Sequence, residues 1–191
     1  MSAVRWSDLF RDLEAQFDAA AAAELGDEVA DRTRRELARI RLVDRIRPAV
    51  GRELAVAVHG AGVVRGVLAD TGPDWLLLEE VAAGEALVPL TAVLAVTGLD
   101  PRVAAEPGSE GEVAARSRLG LPLRALARDR ASVVAVLVDG SRVAGTVERV
   151  GADHLEVAEH TPGDRPRHGA APPLRAVPFA ALGLVRRLPV A

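Results

Sequence analysis

Gly66–Leu78, GVLADTGPDWLLL, and Gly145–Val157, GTVERVGADHLEV, are two copies of one pattern. An alternating apolar run precedes each copy: Leu54–Val58 (LAVAV) and Val133–Leu137 (VVAVL). A second matched piece follows each: Val88–Val96 (VPLTAVLAV) and Val177–Val185 (VPFAALGLV). Self-similarity of this kind fixes architecture before any single residue does, because each copy must build the same supersecondary unit. The period-two alternation makes that unit a set of short β-strands half-buried on one face.

Within a copy the strands fall out of the alternation and the turn residues. Leu54, Val56 and Val58 mark a first strand. Gly60-Ala61-Gly62 reads as a hairpin turn, matched by Asp139-Gly140, a favoured type I′ pair. The second strand is Val63–Ala69, matched by Arg142–Arg149, and the third is Trp75–Glu79, matched by His154–Ala158. Shorter fourth and fifth strands follow near Leu87–Leu90 and Val93–Val96. Gly66 and Gly145 stand mid-strand, where glycine permits a sharp bend. Five short antiparallel strands after a helix imply a small barrel, which removes exposed edges by closing.

The expected fold is therefore α+β and mainly β: two small five-stranded antiparallel barrels preceded by a helical segment. Residues 1–47 form that segment, residues 48–100 the first barrel and residues 101–118 a linker. Residues 119–191 form the second barrel, with a short leading helix near Leu121–Asp129 and an inserted Pro- and Gly-rich loop at 161–173. Trp6, Phe10, Leu13 and Phe17 recur at helical spacing, and Ser7 is a candidate N-cap. A second helix is expected from Asp27 to about Arg47, closed by Pro48.

In both copies Val64, Gly66 and Leu68, or Val143, Gly145 and Val147, should face the core. The opposite face differs. Copy one carries Val63, Val67, Trp75 and Leu77, whereas copy two carries Arg142, Thr146, His154 and Glu156. An apolar outer face implies a cover. The helix bearing Trp6, Phe10, Leu13 and Phe17 is the expected one, with a partner protein or a second copy of the chain as the alternative.

Composition narrows the chemistry. The chain has no Cys, so it has neither disulfides nor cysteine-ligated metal. It also lacks Lys, Asn and Tyr, a bias that fits a GC-rich bacterial genome. Net charge is −3, unevenly spread: residues 49–100 hold two Arg against seven acids, residues 101–191 thirteen Arg against ten. The N-terminus has no signal-peptide pattern, and no stretch approaches the about 18 apolar residues of a membrane span, so the expected location is cytoplasmic. Val56–Gly66, VAVHGAGVVRG, imitates a dinucleotide-binding glycine run, but Thr71-Gly72-Pro73 arrives before the long helix such a site requires. His59, His154, His160 and His168 lack metal-ligand spacing. Ser109 and Ser141 lie outside any nucleophile motif. No catalytic, cofactor or metal residue is assigned.

A leading helix, an apolar-V-x-V-x-x-x-G strand and turn, a mid-strand glycine, an L-x-L strand and a final VP-x-x-A-apolar piece resemble the Sm-like superfamily, which includes bacterial Hfq. SH3-like small barrels are a looser relation. The resemblance covers residues 32–100 and about 119–188. It implies pairing of strand four with strand five between modules, here available within one chain, and in many members binding of single-stranded RNA. The positions near the family's signature Asp and Asn hold Gly72 and Leu76 in copy one and Gly151 and Leu155 in copy two, with Asp74 and Asp153 shifted. The loop aromatic that would stack a base is absent, and stacking carries much single-strand recognition. The leading expectation is a non-enzymatic protein that binds a protein partner or itself, by strand addition or through its N-terminal helices. The alternatives are an RNA-binding regulator using Arg142, Arg149, Arg165, Arg167 and Arg175, and an enzyme of unknown type.

Overall fold

The computed structural model describes residues 31–81, 83–101, 104–106, 116–160 and 173–188. The chain divides into two compact units, residues 1–40 and residues 41–191. In the first, residues 31–37 are helical and carry exposed ion pairs such as Arg32–Glu36 at 3.2 Å. The expected helix from Asp27 to Arg47 is not continuous. Its pattern breaks at residues 38–41 and resumes as the short helix α1 (Leu42–Ile46). Pro48 then sits within a 3-10 turn, Arg47–Ala49, near its start, where a missing N–H costs nothing.

Asp44 organises α1. Its buried carboxylate accepts the Arg41 backbone N–H at 2.9 Å and two guanidinium bonds from Arg41 at 2.9 and 3.0 Å, with Arg47 at 3.6 Å. These bonds, led by the Arg41 side chain, hold the Asp44 carboxyl below the usual carboxylate range against the opposing effect of burial.

The second unit is mainly β. Its strands are β1 (Glu53–Val58), β2 (Gly62–Thr71), β3 (Trp75–Glu80), β4 (Gly84–Pro89), β5 (Val93–Thr97), β6 (Ser132–Leu137), β7 (Arg142–Val150), β8 (His154–Glu159), β9 (Leu174–Pro178) and β10 (Leu182–Arg187). The helix α2 (Gly120–Arg128) precedes β6, close to the expected position. The expected core alternation is present: Val64 and Leu68 are buried with Val63 and Arg65 outside, and Val143 and Val147 repeat this.

The likeness of the two halves extends to fine detail. Both copies shift register at the same place in the second strand, between Leu68 and Asp70 and between Val147 and Arg149. Both place a 3-10 turn between the last two strands, Leu90–Ala92 and Phe179–Ala181. The mid-strand glycines answer a close backbone approach. A Cβ on Gly66 would lie 2.5 Å from the Glu79 carbonyl oxygen, and one on Gly145 2.0 Å from that of Ala158.

One turn differs from expectation. Gly140 has φ of +85°, but Asp139 does not enter the positive-φ region, so the pair does not form a type I′ turn. Instead Gly140 N–H bonds the Leu137 carbonyl at 2.9 Å, and the Asp139 carboxylate accepts the Ser141 N–H and hydroxyl at 2.9 and 2.7 Å. Those bonds hold Asp139 in an ordinary conformation and lower its pKa.

The architecture corrects one expectation. The ten strands are not two closed five-stranded barrels but one antiparallel sheet, ordered β5-β1-β2-β3-β4-β10-β6-β7-β8-β9 and open at both ends. Each half contributes the same order, fifth-first-second-third-fourth. The physical reason for the merger is that β4, fourth strand of the first half, pairs with β10, fifth strand of the second: Leu87 opposite Val185 and Ala86 opposite Arg186. The backbone groups on that side of β4 are satisfied across the halves.

Two apolar cores result, and each borrows from the other half. Leu54, Val56, Leu68, Leu76 and Leu78 pack with Val136 and Leu184 of the second half. Val133, Val147, Leu155, Val157 and Leu123 pack with Trp75 and Leu87 of the first.

Candidate interaction surfaces

The seam between β4 and β10 is the best-built feature of the sheet. Across it the Arg186 guanidinium donates two bonds to the Glu80 carboxylate, 2.8 and 3.2 Å, spanning β4 from β10 to the end of β3. Arg187 lies 3.6 Å from Glu85. Both members of the Glu80–Arg186 pair are mostly shielded, so the pairing is stronger than an exposed bridge of the same length.

Trp75 was expected on an apolar outer face beneath the N-terminal helix. It is only 5% exposed, and residues ahead of α2 cover it. Its indole N–H donates to the Ser117 carbonyl at 2.6 Å. Beside it the Asp74 carboxylate accepts the Leu119 N–H at 2.9 Å, tying that segment to the turn before β3. The matched residues in copy two do something else. His154 lies 2.9 Å from its own neighbour Asp153, whose carboxyl this contact lowers, and the ring remains part-exposed. In both copies the side chain crosses the glycine of the preceding turn. A Cβ on Gly72 would meet the Trp75 ring at 2.2 Å, and one on Gly151 the His154 ring at 2.5 Å.

The four outer-face residues therefore separate. Trp75 and the part-buried Leu77 join the second core, whereas Val63 and Val67 stay in solvent at 54% and 38% exposure. Trp6, Phe10, Leu13 and Phe17 lie outside the described residues, as do Arg165, Arg167, His168 and Ser109. Of the remaining arginines considered for RNA, Arg149 is 2.6 Å from Glu156 and Arg175 is 2.5 Å from Glu159. Each is answered by a carboxylate on β8. Arg142 is exposed at the start of β7. Arg142 and Arg149 stand toward opposite ends of β7, and Arg175 lies on β9. His160 pairs with the Thr146 hydroxyl at 2.8 Å. Among the described residues no three His, Cys, Asp or Glu side chains cluster to hold a metal ion.

Two features were not singled out from sequence. Both strands at the ends of the sheet, β5 and β9, carry an exposed leucine: Leu94 at 65% and Leu174 at 54%. Leu94 matches Gly183 and Leu174 matches Glu85 in the other copy, so a copy-by-copy comparison of the last two strands would have found them.

No protein-family model, no curated protein and no solved structure matches the chain. No helix among the described residues is long and apolar enough to cross a membrane.

Proposed function

We propose that the protein is a non-enzymatic, cytoplasmic interaction protein built from two Sm-like halves, binding its partner by strand addition at the open ends of its sheet. The observation that carries the reading is the identity of those ends. β5 is a fifth strand and β9 a fourth strand, the two types that pair at the internal seam. The partner that fits is a second copy of this chain, joined head to tail, since unlike edges propagate into rings or filaments. In the register of the seam, Val96 would oppose Ala176 and Thr97 would oppose Arg175. Leu174 would then share the face of Val96 and Ala176, since alternate residues of a strand point the same way. Leu94, in contrast, is the extra residue at the register shift of β5 and is exposed away from Val93 and Val96, which pack on the first core. Main-chain hydrogen bonds supply affinity in such strand addition, and the exposed Leu174 supplies specificity.

RNA binding is the weaker reading, because carboxylates already neutralise Arg149 and Arg175. Sedimentation equilibrium over a wide concentration range tests the proposal. The chain should self-associate, and Leu94→Lys or Leu174→Lys should shift it toward monomer, as edge lysines block pairing. A chain that stays monomeric throughout, or one whose association both lysines leave untouched, overturns it.

A further inference from the structure

A groove of about 230 Å³ opens beside α2 over the central strands. Trp75, Leu77, Leu87, Ala125, Leu126 and Val185 contribute to its apolar lining. Asp70, Glu85, Asp129 and Arg187 contribute its charged groups. The groove belongs to the middle of the sheet, whereas the edges considered above are its two ends.

The strand pattern of one half does not by itself require this lining, although the second core uses Trp75 and Leu87. Copy two builds the same strands with His154, Glu156 and Ala176 where copy one has Trp75, Leu77 and Leu87. Burial at the seam accounts for Leu87, but Leu77 is left part-exposed in the groove. The volume lies below the roughly 300–1,000 Å³ of small-molecule sites. It has room for one or two side chains.

Charge says which side chains. Arg187 is answered by Glu85 at 3.6 Å. Asp70 and Asp129 add two further carboxylates. Asp70 accepts the Thr71 N–H at 2.7 Å, and Asp129 has the exposed Arg128 at 3.5 Å. With three acids in the lining against Arg187, and Arg128 beside Asp129, the groove stays net acidic and favours a cation beside an apolar group.

We propose that the groove docks a peptide segment of a partner protein in which a bulky apolar side chain stands next to an arginine or lysine. The apolar side chain enters over Leu77 and Trp75, and the cation lies at Asp70 and Asp129. This surface is separate from the sheet ends, so the two proposals fail independently: Leu94→Lys and Leu174→Lys leave groove binding unchanged.

The test uses the full chain with Trp6→Phe, which makes Trp75 the only tryptophan. Its single indole N–H resonance is followed by NMR during titration with acetyl-phenylalanyl-arginine amide. The expected result is a saturable shift at millimolar peptide, weakened about fivefold by Asp70→Asn with Asp129→Asn, as loss of exposed charge pairs implies. Acetyl-phenylalanyl-glutamate amide and acetyl-alanyl-arginine amide should bind more weakly still. Ala125→Phe, which fills the groove, should abolish the shift. No saturable shift at tens of millimolar, equal binding of the glutamate peptide, or indifference to the double asparagine variant overturns the proposal. The two asparagines replace exposed carboxylates, so the test does not depend on whether Ala125→Phe folds.

Discussion

Cutting the chain between its halves, within residues 107–115, should leave neither half folded. The magnitude follows from the shared cores. Separation returns Trp75 and Leu87 to water from the second core and deprives the first core of Val136 and Leu184. At about 1.5–3 kcal/mol for each large apolar side chain, the loss is about 6–12 kcal/mol. The whole stability of a domain is about 5–15 kcal/mol, so the loss is of the same size. Loss of the β4·β10 pairing and of the Glu80–Arg186 bonds adds to it. The assay is urea unfolding followed by circular dichroism, on residues 41–106 and 116–188 expressed separately and then mixed. Each half alone should lose structure without a cooperative transition. Mixing should restore one, since the seam is complementary. An isolated half that unfolds cooperatively at the midpoint of the intact chain would refute the claim that the cores are shared.

Two further predictions address local features. Gly145→Ala would place a Cβ 2.0 Å from the Ala158 carbonyl oxygen. It should cost about 1–3 kcal/mol as the strands part, measured as a lowered urea midpoint. Gly66→Ala should behave alike, its contact being 2.5 Å. Asp44→Asn removes a buried carboxylate that accepts three bonds from Arg41 and should cost about 2 kcal/mol at neutral pH. Because folding lowers the Asp44 pKa, its stabilisation is fully present above the unfolded value, about 3.9. It is lost as pH falls through the folded value, so the gap between wild type and variant should close in acid. A gap that stays constant from pH 7 to strongly acidic solution would show that the charge of Asp44 contributes nothing.

The strands were legible because each writes a period of two into its own residues, and the second copy supplied an independent reading of every one. Val64, Gly66 and Leu68 could be placed inside because Val143, Gly145 and Val147 agreed with them. The seam was harder to see, since a bond between β4 and β10 joins residues about a hundred positions apart and leaves no local mark. Trp75 shows the same limit in one side chain. Its need for a cover was readable from the apolar face, but the cover is the Ser117 segment, 42 residues on. The Asp139-Gly140 turn departs from type I′ in a setting that the dipeptide alone does not carry: the Asp139 carboxylate accepts both the N–H and the hydroxyl of Ser141. The break between residues 38 and 41 falls at a unit boundary, and helical spacing continues across it unchanged.

The unequal divergence of the two copies bears on the proposed mode of action. At the seam Trp75, Leu87 and Val185 meet in a buried apolar contact, backed by Glu80 and Arg186. The matched positions at the open ends are His154, Ala176 and Val96, with Glu159 and Thr97. Glu159 is already engaged by Arg175 on its own side at 2.5 Å, so a neighbouring chain would find no free carboxylate of that kind. Ala in place of Leu and His in place of Trp remove most of the apolar area that such a contact could bury, leaving Leu174 as its main apolar anchor. A permanent joint and an exchangeable one call for this difference. Apolar burial fixes the first within each chain, while the proposed second would rest on backbone pairing and Leu174, a contact that concentration would make and dilution undo.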